Sequence, residues 1–363
     1  MTVAEAATVA FDPACDPLKI RRRATLIGLG LLLALTTVFA LGAGALAIEP
    51  WRVVEILLRA VGIDTGAAIE PYQAAALMSV RLPRILLALM CGATLGMAGA
   101  SLQALFRNPL ADPTLVGVAD GAACGAVAWI VFGGMGLAAG LGAWGLILVA
   151  FGGGLIATAG VMAAARGEGR IDIATLLLAG LAMKALASAL LGYLIFLAND
   201  LQMRSLTFWL LGSLGGATWS AIIPAALLMS VSLGVLGTLA RPFDALALGE
   251  AVAGHLGVPV ERVKRVAVVA VALGVGAGTA LTGIIGFVGL IAPHIVRLIG
   301  GPDHRFVLPA SALLGALLIV VADTMSRTLV APAELPVGVV TSAIGAPFFF
   351  WLLRTRTHYG TLS

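Results

Sequence analysis

The sequence predicts an all-α integral membrane protein of about ten transmembrane helices, with short interfacial and cytoplasmic helices added. Three observations carry this. Of 363 residues, 60% are hydrophobic and only 11% are charged, where a soluble domain carries about 25% charged residues. The apolar runs reach the length of ~20 residues that a helix needs to cross the hydrocarbon core. They lack the ~10-residue alternation of a membrane barrel. The formal net charge of +4 does not argue for nucleic acid, because the basic residues sit at run ends, where membrane orientation explains them.

The elements follow in order. A tail over residues 1–23 ends in Arg21-Arg22-Arg23. The run at 24–48 is too long for the apolar core of a signal peptide, so it reads as the first span. Residues 49–82 form an outside loop that contains an amphipathic stretch, WRVVEILLRAVG. Spans are expected at 83–105, 114–132, 141–165, 173–197 and 219–240. The segment 205–216, SLTFWLLGSLGG, is too short to cross and reads as interfacial or re-entrant. The run at 266–298 is too long for one helix and is broken at TALTGIIG (279–286). Runs at 306–328 and 337–353 close a single transmembrane domain over 24–353, and 354–363 form a cytoplasmic tail.

Charge settles whether the long run counts once or twice. Arg21–Arg23 at one end and Arg354 and Arg356 at the other place both termini in the cytoplasm, so the span number must be even. Splitting the long run gives ten. Of the 22 Lys and Arg, that topology puts fifteen inside and six outside, leaving Lys184 within a span.

Enzyme chemistry has no footing. A P-loop needs Gly-Lys-Ser/Thr, and the three lysines here follow Leu18, Met183 and Val263. There is no zinc-like Cys/His spacing and no nucleophile elbow. The chain is expected to hold no catalytic residue, no metal and no cofactor. Cys15, Cys91 and Cys124 form no paired framework. Gly92 and Gly96, four apart, let helices approach closely.

The most polar interior segment is DALALGEAVAGHLGVPVERVKR (244–265), placed in the cytoplasm by ten spans. Leu248, Val252 and Leu256 recur at i, i+4 and i+8, which makes one helix face. Glu250 lies near a helix start, where negative charge is favoured. Gly249, Gly254, Gly257 and Pro259 cut the stretch into one or two short helices. Either the stripe packs on its own membrane domain or it docks in a groove of a partner.

Three ionisable groups lie in apolar runs: Lys184, Asp120 and Asp323. A charge at the bilayer centre costs about 2.5–3.5 kcal/mol or more unless it is paired or hydrated. Lys184 therefore either forms a buried pair with a carboxylate or faces an aqueous path, where it attracts anionic groups. His294 reads as a packing residue. Asn108, Asp112 and Asp303 read as turn and cap residues.

Four blocks resemble a known family: RLPRILLALMCGATLGMAGASLQALFRNPLADPTLVGV (81–118), ALGEAVAGHLGV (247–258), TGIIGFVGLIAPHIVRLIGGPDHRFVLP (282–309) and ADTMSRTLVAPAELPVGVVTSAIGAPFFFWLL (322–353). They look like the FecCD-like permeases of iron-siderophore, haem and cobalamin ABC importers. The resemblance implies a homodimer in the bacterial inner membrane. It also implies two cytoplasmic ATPases that carry ATP and Mg, and a periplasmic substrate-binding protein. It makes 241–265 the coupling segment, with Leu248, Glu250, Val252, His255 and Leu256 as ATPase contacts. Arg81, Arg84 and Arg327 match arginines that receive carboxylates of the binding protein, a task suited to the guanidinium fork. The alternative is that they anchor span ends or pair with Glu334 or Asp323. DPTLVGV, GPDHR and RTLVAPAELPVGV read closest to haem permeases, with ferric siderophore or cobalamin next. An ion-coupled secondary carrier, built on Asp120, Asp323 and the break at 279–286, is the rival class. A purely structural scaffold has no need of both the outer arginines and the cytoplasmic docking helix.

Overall fold

A computed structural model describes residues 17–44, 46–63, 66, 69–133, 141–167 and 170–359. Cys15 lies outside them. Among the described residues, seven helices are long and apolar enough to cross a membrane: Pro17–Gly42, Pro71–Leu105, Trp144–Ala164, Ile173–Phe196, Trp219–Thr238, Val260–Thr282 and His304–Thr328. Three shorter apolar stretches, Val118–Phe132, Val288–Gly300 and Val337–Phe350, bring the apolar helices to the number that charge parity requires.

The chain begins with α1 (Pro17–Gly42), so the Arg21–Arg23 cluster is already helical. The amphipathic stretch forms α2 (Pro50–Ala60), which buries Val53 and Ile56. A short helix α3 (Pro71–Ala76) then feeds through a π-helical turn, Leu77–Arg81, into α4 (Leu82–Leu105). The span expected at 114–132 is shorter than predicted: Pro113–Val116 form a 3-10 turn and the helix proper is α5 (Val118–Phe132). Asp112 caps that turn by accepting the Thr114 amide.

Next come α6 (Gly142–Ala164) and a hairpin that alternation did not reveal, because each strand has two residues: β1 (Arg166–Gly167) paired antiparallel with β2 (Arg170–Ile171). Asp172 caps α7 (Ile173–Phe196) through the Thr175 amide. The interfacial helix expected at 205–216 instead occupies α8 (Asp200–Leu210), because Asn199 and Gln202 form a capping box that starts it earlier.

Beyond α9 (Trp219–Thr238), α10 (Ala240–Ala247) and α11 (Glu250–His255), the long run splits as predicted. It forms α12 (Val260–Thr282) and α13 (Val288–Gly300). Gly283 at φ 69° turns the chain between them, and the Ser213 amide donates to the Thr282 carbonyl at 2.7 Å. Non-helical backbone at membrane depth is tolerated where protein covers and satisfies it. The chain ends in α14 (His304–Thr328) and α15 (Val337–Tyr359), which runs on through Arg354 and Arg356.

α4, α12 and α14 form the buried centre, while α1 and α7 leave most of their surface uncovered. Small residues set the centre. A Cβ on Gly92 would strike the Gly315 carbonyl, and one on Gly96 the Ser311 carbonyl, so α4 and α14 touch backbone to backbone. Gly121 and Gly153 do the same for α5 and α6. Apolar helices gain little from leaving lipid for one another, so close packing of this kind supplies the attraction.

Candidate functional site

Polar side chains concentrate at the two ends of the bundle and at one point between them. At the end that carries α10, α11 and the hairpin, Gly249 adopts φ 105°, a conformation closed to ordinary L-residues. The chain therefore kinks between the two short helices. Leu248, Val252 and Leu256 are all exposed, and so is His255. Ala253 turns inward instead. In this structure the apolar stripe does not pack on the rest of its own chain. Leu248 closes α10, while Val252 and Leu256 belong to α11 and its end, so the stripe spans a kink instead of one continuous helix.

Glu250 is held from behind. The ammonium of Lys264, a residue only 2% exposed, donates to Glu250 Oε2 at 2.7 Å, to the Ile171 carbonyl at 2.7 Å and to Glu261 Oε1 at 3.2 Å. Glu261 Oε2 accepts the Ile171 amide at 2.8 Å. One buried charge thus ties α11, α12 and the hairpin together. Lysine is almost never fully buried unless paired, and the sequence analysis assigns this one no partner. The only cue was the spacing Glu261-x-x-Lys264. Beside α11 lies a groove of about 760 Å³ edged by Arg170, Glu250, His255, Arg262 and Arg265.

A second polar joint lies at the same end. Arg22 donates to the Gly300 carbonyl at 2.7 Å and to Asp303 at 2.6 Å, and lies over the Phe306 ring. Asp303 also caps α14 through the Arg305 amide. Asp244 of α10 accepts both the His304 amide and His304 Nδ1, at 2.9 and 2.7 Å.

At the opposite end the three arginines predicted for docking converge, but inward. Asp323 is fully buried and accepts Arg84 Nε at 2.8 Å and Arg327 Nε at 3.0 Å. Arg84 also reaches Glu334 at 2.9 Å. Arg327 donates to the carbonyls of Ala40 and Ala43, and Arg81 to those of Leu41, Gly42 and Leu46. All three arginines are buried. In this structure they close the turn after α1 onto α4 and α14. Pairing with Asp323 and Glu334, an alternative given by the sequence, is what the geometry shows for Arg84 and Arg327, while Arg81 binds backbone carbonyls alone. Of this set the exposed charge is Glu334.

Between the ends, Lys184 sits midway along α7 on its uncovered face. Among the described residues no carboxylate lies within ion-pair distance of it, although it interacts electrostatically with Asp120 and Asp112. Asp120, in the first turn of α5, keeps one carboxylate oxygen buried without a hydrogen-bond partner. His294 packs its ring edge-on to Phe348 at 6.0 Å. Among the described residues, no group of three or more His, Cys, Asp or Glu could hold a metal ion.

The decisive comparison is with the FecCD transport family, whose model matches residues 32–355. The chain belongs to the FecCD transport family. It is similar to the hemin transport system permease protein HmuU of Yersinia pestis, at 43% identity over 281 residues that cover 77% of this chain and 83% of the relative. It is also similar to the vitamin B12 import system permease protein BtuC of Salmonella paratyphi A, at 39% over 334 residues that cover 90% and 94%. Among solved structures, an inward-facing conformation of a metal-chelate type ABC transporter superposes with a TM-score of 0.79 at 31% identity. That match covers 91% of this chain and 98% of the other. This FecCD-family chain is a multi-pass membrane permease of the ABC-importer kind.

Proposed function

We propose that the chain is the transmembrane subunit through which an ATP-driven importer of the bacterial inner membrane moves an iron-bearing or corrinoid cargo, haem first, from periplasm to cytoplasm. The observation that carries the coupling is the exposed stripe Leu248, Val252 and Leu256 on a lever that Lys264 pins to α12. An apolar stripe on a short external helix fits a groove in a partner, here the cytoplasmic ATPase, which binds the ATP and Mg. Glu250 and His255 complete that contact. Movement of the groove tilts α12 because the lever is joined to it through a buried charge, the behaviour of a two-state packed element.

The path lies along the uncovered face of α7. Lys184 is about twelve residues, or ~18 Å, from either helix end, too far for its stem to bring the ammonium to the interface. Lipid on that face would impose the cost of a bare charge. A second copy of the chain enclosing an aqueous path relieves it, and Lys184 with Asp120 then lines the path. A positive station there suits anionic groups such as haem propionates.

On the outer face, Arg81, Arg84 and Arg327 organise the surface that receives the binding protein. A carboxylate of that partner reaches Arg84 by replacing Glu334. An ion-coupled carrier needs an acid able to hold an ion. Asp323 is occupied by two arginines, which disfavours that reading.

The test is reconstitution with the cognate ATPase and binding protein, followed by a screen of haem, ferric siderophores and cobalamin. Uptake that needs nucleotide and persists with an uncoupler supports the proposal. Uptake by the purified chain alone, or uptake abolished by the uncoupler, refutes it. Labelling that places Glu250 on the periplasmic side refutes the orientation, which has both termini in the cytoplasm.

A further inference from the structure

A crevice of about 390 Å³ opens where the end of α9, α10 and the start of α14 meet. It shares no residue with the groove beside α11. Its lining divides by chemistry. Met97, Gly237 and Leu308 make the apolar part, and Arg241, Arg305 and His304 make the polar part. Arg241 and Arg305 are exposed, and among the described residues neither guanidinium bonds to another side chain. His304 is 5% exposed. Its Nδ1 is occupied by Asp244, while its Nε2 is buried with no hydrogen-bond partner. A buried polar atom without a partner costs about 1–3 kcal/mol, so this nitrogen calls for a polar group in the crevice. Nearby acids are already engaged: Asp244 holds His304, and Asp303 holds Arg22 and the Arg305 amide.

The crevice lies at the foot of an apolar stripe. Ile223, Leu227 and Val231 recur every four residues along α9 and are exposed, and the same helix ends at Gly237 and Thr238 on the crevice wall. A ligand that fills both parts carries an anion for the two arginines, a further polar atom for His304 Nε2, and hydrocarbon to lie along α9. Basic recesses between spans at the cytoplasmic leaflet meet that description for phospholipid headgroups.

We propose that this crevice binds an anionic phospholipid of the adjoining leaflet, the cytoplasmic one in the orientation given above. Its phosphate sits between Arg241 and Arg305, a headgroup oxygen meets His304 Nε2, and an acyl chain runs up Ile223, Leu227 and Val231. The site does not depend on which cargo the protein carries.

The test is lipid retention. The full chain is purified from membranes, exchanged into vesicles of phosphatidylcholine with a minor fraction of phosphatidylglycerol, re-extracted, and its bound lipid measured by native mass spectrometry. Wild type is expected to retain phosphatidylglycerol selectively. Arg241→Ala with Arg305→Ala is expected to lose it by roughly tenfold to thirtyfold, at about one charge contact per arginine. The control pair Arg262→Ala with Arg265→Ala, on the α11 groove, is expected to retain it. Equal loss in both pairs overturns the proposal, since it means generic surface charge. Equal retention in wild type and the first pair overturns it as well. Displacement of the lipid by millimolar inorganic phosphate alone makes the site one for a free anion and also overturns the lipid assignment. A melting curve in detergent that matches wild type establishes that the double variant is folded. If it is not, His304→Gln, which leaves both arginines, serves instead and is expected to weaken retention, and wild-type retention in that variant overturns the proposal.

Discussion

Replacing Lys264 with Met tests the lever. The side chain is similar in length, so the change removes the charge and leaves the volume. Three charge-assisted bonds are lost, each worth about 1.5–3 kcal/mol when buried, and these set a ceiling. Two of the acceptors are carboxylates whose side chains stay 38% and 28% exposed. Water re-solvates them once the ammonium is gone, and solvent screening discounts the pairs accordingly. What remains is about 2 kcal/mol between pinned and unpinned α11. Little else holds that helix, since Ala253 is its buried residue. An ATPase that binds the pinned form alone then binds the variant up to roughly thirtyfold more weakly. The assay titrates the ATPase subunit onto permease held in nanodiscs and reads transport-coupled ATP hydrolysis in parallel. Lys264→Arg, which keeps a cation, is expected to recover part of the affinity. If Lys264→Met binds the ATPase as wild type does and couples normally, the pinned lever is wrong.

Other predictions follow from the remaining joints. Asp323→Asn leaves Arg84 and Arg327 buried without their shared anion. Breaking such a cluster costs about 3–5 kcal/mol, toward the lower figure here because Arg84 keeps Glu334 and Arg327 keeps two carbonyls; thermal unfolding in detergent should show it, and an unchanged midpoint would contradict the network. Glu334→Gln should tighten docking of the binding protein by removing the carboxylate that competes for Arg84, so a weaker complex by surface binding would exclude that exchange. Gly92→Val drives a branched side chain into the Gly315 carbonyl and should destabilise the α4–α14 pair by about 1–3 kcal/mol or more, visible as a lower melting point. Lys184→Met should slow translocation of a carboxylate-bearing cargo more than that of its esterified analogue; equal rates for both in proteoliposomes would remove Lys184 from the path.

Hydropathy and charge were enough to mark the architecture. The apolar runs at 141–165, 173–197, 219–240 and 306–328 end close to their helix ends, because burial in lipid acts on each residue alone. By contrast, α1 (Pro17–Gly42) starts and ends nearly two turns ahead of the run at 24–48, because its polar basic lead is helical too. The break near Gly283 was legible because glycine and run length both announce it. Asp112, Asp303 and the kink at Gly249 were legible because caps and turns are local chemistry. The hairpin of β1 and β2 was not, since two-residue strands have no period to detect. Nor was α3, whose six residues merge through a π-helical turn into α4.

The sequence by itself determined that this chain carries the apolar helices of a multi-pass membrane permease, where the long run breaks and which family blocks it carries. It also picked out Arg81, Arg84 and Arg327 as a set and gave pairing with Asp323 or Glu334 as one of their alternatives. Only the tertiary structure decided what those side chains face. Arg84 meets Asp323 across 239 positions and Lys264 meets the Ile171 carbonyl across 93. Whether a charge is spent inward or offered outward depends on which distant backbone comes to lie beside it, and no local pattern of residues encodes that.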